Sequence, residues 1–196
     1  FVTFASFGAF AASAGVVPVV SDVEMEQLSS THDVIITYTL DNAPAVVTLD
    51  IQTNAADGAW FSIGPQNFTN VTGDAFCLVE TESCTIRWRP FKSPFIGNVV
   101  ADGGARAVVT AYAVDAPPDY MVIDLLKENG NVSYYVSKEA MPFAITDGYC
   151  KTNSLVMRRI HAAHVTWIMG SPVGEAGRNA NEEQHCVTLS KDYYMG

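Results

Sequence analysis

A chain of 196 residues that is 48% apolar and only 16% charged can build a core, which excludes an intrinsically disordered protein. Its 21 acidic against 11 basic residues leave a net charge of −10, a field that repels a phosphate backbone, so nucleic acid is not an expected partner. No stretch reaches the roughly 18 apolar residues that a spanning helix needs, so no transmembrane anchor is expected.

Residues 1–14, from Phe1 to Ala14, are uncharged, apolar and rich in small side chains. Ala12-Ser13-Ala14 has the small-x-small form that signal peptidase cuts, here before Gly15. The segment reads as the remnant of a secretory signal, and a buried first strand or helix is the alternative. Export predicts a secreted, periplasmic or cell-surface protein, and it makes Cys77, Cys84, Cys150 and Cys186 candidates for disulfides. Cys77 and Cys84 are spaced for a small closed loop, and free buried thiols are an equal alternative. No C-x-x-C occurs to suggest zinc or thioredoxin-type chemistry.

From Val17 to about Leu126 the chain alternates short β-branched runs with turn signals. Val34–Leu40, Ala45–Gln52, Thr85–Arg89, Arg106–Val114 and Tyr120–Leu125 read as strands. Asp41-Asn42-Ala43-Pro44, Asn54–Gly58 and Ala101–Gly104 read as turns between them. About seven short strands in roughly this length predict a mainly β protein whose residues 15–127 form an antiparallel β-sandwich of the immunoglobulin or fibronectin type. Side chains on a strand repeat every two residues, so Trp88 and Ile86 should face the core and Arg87 and Arg89 the solvent. An exposed Trp88 serving a carbohydrate or a protein partner is the functional alternative.

Residues 128–153 read as a linker holding one short strand, Val132–Val136. Ser137–Pro142 is too brief and Pro-terminated for a helix. Asn67-Phe68-Thr69, Asn70-Val71-Thr72 and Asn131-Val132-Ser133 are N-glycosylation sequons.

Residues 154–196 carry the most specific pattern. A hydrophobic run, Leu155-Val156-Met157-Arg158-Arg159-Ile160, leads through His161-Ala162-Ala163-His164 into Val165–Met169 and then Gly170-Ser171. A polar loop follows, then Glu182-Glu183-Gln184-His185, Val187-Thr188-Leu189 and Tyr193-Tyr194-Met195-Gly196. In order and type these elements resemble the opening of the formylglycine-generating enzyme (sulfatase-modifying factor) domain, an α+β, C-type-lectin-like fold. The chain departs from that pattern at His161, Ala162 and Ala163, where the family has a turn with Pro and Gly, and at Gln184, where Pro is common.

The resemblance implies a protein whose full-length form oxidises a cysteine of a client sulfatase to formylglycine with copper held by a late cysteine pair, soft thiolates being suited to Cu(I). Some relatives use iron or only bind partners. That pair would lie beyond Gly196, so no catalytic, cofactor-binding or metal-ligating residue is assigned in this chain, and no cofactor is expected in it. His161 and His164 could share a metal only if Ala162-Ala163 made a tight hairpin; solvated turn histidines are the expectation. The Glu182–His185 cluster is expected to be structural, its acids serving loop amides or Arg178. The leading expectation is therefore a fragment of an exported sulfatase-modifying-factor protein without its catalytic part. The alternative is an extracellular binding or adhesion module that recognises protein or glycan.

Overall fold

The computed structural model describes residues 16–55, 58–98, 100, 103–127 and 131–196. The predicted signal remnant and its cleavage point before Gly15 lie outside these residues. Strands dominate: β1 (Val19–Gln27), β2 (Val34–Asp41), β3 (Ala45–Asn54), β4 (Trp60–Ser62), β5 (Val71–Gly73), β6 (Cys77–Val79), β7 (Ser83–Trp88) and β8 (Ala105–Ala113) come first. Then follow β9 (Tyr120–Asp124), β10 (Asn131–Tyr135), the single helical turn α1 (Tyr149–Thr152), β11 (Ser154–Ile160), β12 (Thr166–Met169), β13 (His185–Thr188) and β14 (Tyr193–Met195). Every pairing between these strands is antiparallel.

The first sheet runs β1-β2-β7-β5. In the second, β3 pairs with β8 along its length and with β6 and β4 at opposite ends of its other edge. The two sheets enclose one core to which β2 and β7 turn alternate residues and in which β3 is buried along most of its length. On β2, Val34, Ile36, Tyr38 and Leu40 are buried while the residues between them are more open, and Cys84, Ile86 and Trp88 do the same on β7. Across from them lie Ala45, Val47, Leu49 and Ile51 of β3. Burying an Ile or Val side chain fully is worth about 1.5–3 kcal/mol, so this cluster dominates the stability of residues 19–113. Trp88 is 4% exposed and packs on Phe95 with ring centroids 5.7 Å apart, while the side chains of Arg87 and Arg89 reach outward to Asp33.

A third sheet runs β10-β9-β11-β14. The strand expected at Tyr120–Leu125 thus forms, but its partners are β10 and β11 rather than the strands of the first core. This sheet docks on the first unit through Tyr134 N, which donates to Phe76 O at 2.8 Å, and through the ring of Phe76, which stacks on Tyr135 and Phe68. The stretch 137–142 makes only a 3-10 turn at Lys138–Ala140, as its brevity predicts. A two-stranded ribbon, β12-β13, completes the fold. No helix among the described residues is long and apolar enough to cross a membrane.

Candidate functional site

The densest polar cluster lies where the third sheet meets the end of β8. Arg159, on β11, is held at both ends. Its Nε and Nη2 donate to Asp192 at 3.0 and 2.8 Å, and its Nη1 donates to Pro117 O at 2.6 Å. Asp192 in turn accepts the backbone N–H groups of Ala162 and Ala163 at 3.0 and 2.9 Å. The Ala163 amide is the strongest of the influences that hold the Asp192 carboxyl below its ordinary 3.8; burial opposes them, and His161 and Arg159 add to them.

His161 stands between two carboxylates, with Nδ1 3.2 Å from Asp192 and Nε2 3.0 Å from Asp119. Only an imidazolium donates to both at once. Tyr194 adds a tie by donating its hydroxyl to Pro118 O, and its burial pushes that phenol up to about 12. The cluster straps the 115–119 connection to β11 and to the segment before β14. Beside it a cleft of about 1010 Å³ opens, walled by Ala43, Pro44 and Val114 on one side and by Arg159, Lys191 and Tyr193 on the other.

The hairpin considered at His161-Ala162-Ala163-His164 does not form. β11 pairs with β9 and β14, and β12 pairs with β13, so the flanking strands belong to different sheets. His164 takes a left-handed turn conformation at φ +60° and donates its amide to Leu189 O. His161 and His164 are therefore not cross-strand neighbours. Sequence reading singled out His161 but not Asp119 or Asp192, which lie 42 and 31 residues from it. No local pattern announces such contacts.

The loop after β12 is organised by Glu182. Its carboxylate accepts from the Asn179 side chain and amide and from Ser171 Oγ, bonds that hold it below its ordinary value. Ser171 N donates to Glu182 O at 2.9 Å. Arg178 serves the Ser171 carbonyl, where an ion pair with the acids was one expectation. His185 Nδ1 donates back to Glu183 O at 3.0 Å. Gly170 sits at φ +97°, and a Cβ placed there would meet Glu183 O at 2.6 Å, so only glycine lets the strand end close on this loop.

All four cysteines are free thiols. Cys77 and Cys84 lie on β6 and β7 of facing sheets; Cys84 points to Thr81 O at 3.1 Å, and burial pushes the Cys77 thiol up. Among the described residues no group of three or more His, Cys, Asp and Glu is arranged to hold a metal ion. No protein-family model, curated protein or solved structure matches the chain.

Proposed function

We propose that the chain is the leading part of an exported protein of the formylglycine-generating-enzyme family, in which an immunoglobulin-like sandwich precedes the first strands of the family's domain and positions it. The observation that carries this reading is the closure of Met169-Gly170-Ser171 onto Glu182-Glu183. The residues that carry the resemblance are those whose geometry has no substitute, since Gly170 needs its positive φ and Ser171 bonds Glu182 through both backbone and hydroxyl. The strand order β1-β2-β7-β5, packed against β3 and β8, supports the immunoglobulin-like part, because it follows the A-B-E-D order of that architecture.

The residues in hand do not fit the family's copper. Cu(I) takes a pair of thiolates, whereas Cys84 is buried in the first core against Thr81 O and Cys150 and Cys186 stand on separate elements, α1 and β13. On this reading the chain's part is to hold and present the domain's opening strands. Two measurements test this. The coding frame past Gly196 should continue the domain with its cysteine pair, and an unrelated continuation removes the reading. The chain itself, reduced and given Cu(I), a competing chelator and a cysteine-containing client peptide, should yield no formylglycine by mass spectrometry; formylglycine lost on Cys150→Ser or Cys186→Ser would move the chemistry into it.

A second reading, an extracellular module that recognises protein or glycan, draws on the cleft of about 1010 Å³ beside Arg159 and Tyr193. Glycan arrays probed with the full chain and with Tyr193→Ala separate the two readings, since only the second expects binding that this change weakens.

A further inference from the structure

Two strand edges face one groove without pairing with each other. β5 closes the first sheet and β10 opens the third. In an antiparallel ladder, residues alternate between those bonded to the neighbour and those whose N–H and C=O turn the other way. Arg89 N donates to Asn70 O and Asp74 N to Thr85 O, so Val71 and Gly73 turn their amide groups away from β7. On β10, Tyr134 N leaves β9 to reach Phe76 O, and Val132, two residues earlier, turns its N–H and C=O to the same side. Val71, Gly73 and Val132 all line a groove of about 450 Å³ floored by Phe68, Phe76 and Tyr135. The Gly73 carbonyl already accepts from Ala75 N, which leaves its N–H for another strand.

Lys127 is the only charged side chain among the described residues of this lining, in a chain of net charge −10. Its ammonium lies 3.5 Å from Asp124 in an exposed pair that water screens, so it can turn to a second carboxylate at little cost.

We propose that this groove binds an extended peptide of another protein by strand addition. The peptide's main chain bonds Val71 and Gly73 on one side and Val132 on the other, one apolar side chain rests on the Phe68-Phe76-Tyr135 stack, and an acidic residue lies toward Lys127. Unmet main-chain groups on two edges select an extended backbone, the aromatic floor selects an apolar side chain, and the lone cation selects the sign of the peptide's end. The inference goes beyond the family reading and holds whatever follows Gly196.

The test titrates the isotope-labelled full chain with acetyl-Thr-Val-Thr-Val-Glu-Glu-amide and follows backbone amides by NMR. Val71, Gly73 and Val132 should shift, and binding should weaken about tenfold for a Lys-Lys-ended analogue and for one N-methylated at alternate residues. Val132→Pro removes a groove-facing donor on an edge strand without touching the β9 ladder, and should weaken binding similarly. The N-methylated probe asks the same question of the unaltered protein should that variant misfold. No shift at these amides up to about 1 mM peptide, or equal binding of the N-methylated analogue, overturns the proposal. So does protein-concentration-dependent shifting without peptide, which would make a second copy the occupant.

Discussion

Two residues show how local geometry limits substitution. Trp88 fills the core at 4% exposure, and its indole N–H has no hydrogen-bond partner. Trp88→Ala should cost about 3–5 kcal/mol through the cavity it leaves. Trp88→Phe should cost clearly less, because the smaller ring also removes a buried donor that nothing accepts. Chemical denaturation of the two variants checks the order, and equal losses would mean the N–H is satisfied in solution. Gly170 poses the opposite problem, since space rather than its absence is what it supplies. Gly170→Ala brings a Cβ against two carbonyls, 2.6 and 2.9 Å away, at a positive φ, and should cost about 1–3 kcal/mol. Its effect should appear as faster hydrogen exchange at Ser171 and Glu182 while the first core is untouched.

Among the elements, the first core is complete without the third sheet, since every residue of its cluster lies between Val20 and Ala111. Residues 16–116 expressed alone should therefore melt cooperatively with a β spectrum, and a gradual melt would show that the docking at Phe76 is needed. Residues 154–196 alone should not fold, because β11 loses β9, the partner along most of its length. Protected amides in that excised peptide would refute this. The strands legible in the sequence include β2, β3, β7, β8, β9 and β10, β-branched or aromatic runs bounded by turn signals. The illegible ones have physical reasons. β4, β5 and β6 have three residues each, too few to show a period. β1 carries a bulge at Ser21–Glu24, with Asp22 at φ +51°, which shifts its alternation midway. The pairing of β9 with β11 was hidden because residues 125–153, a poorly patterned connection, separate them. The candidate site was legible at Gly170-Ser171 and Glu182, where contacts are local, and illegible at Asp119 and Asp192, where they are made only by the fold.

At the scale of the whole molecule, Asp192 decides how firmly the parts are joined, because one carboxylate holds Arg159, His161 and two backbone amides. Arg159 carries the link onward to Pro117 and Asp115 at the end of the first unit, and His161 carries it to Asp119. Removing the carboxylate leaves a guanidinium only 12% exposed without its anion, which is where most of the cost arises. The pH dependence has a definite sign. A carboxyl held below its ordinary 3.8 in the folded state stabilises the fold fully above that value and loses its contribution as pH falls through the lower, folded value. Wild type should therefore melt at a higher temperature than Asp192→Ala at neutral pH. The gap should stay constant down to the ordinary carboxylate range and close below it. Calorimetric melts of both proteins from neutral pH into acid measure that gap. A gap that persists in strong acid would mean that Asp192 acts through its shape and neutral hydrogen bonds, and that the strap owes nothing to its charge.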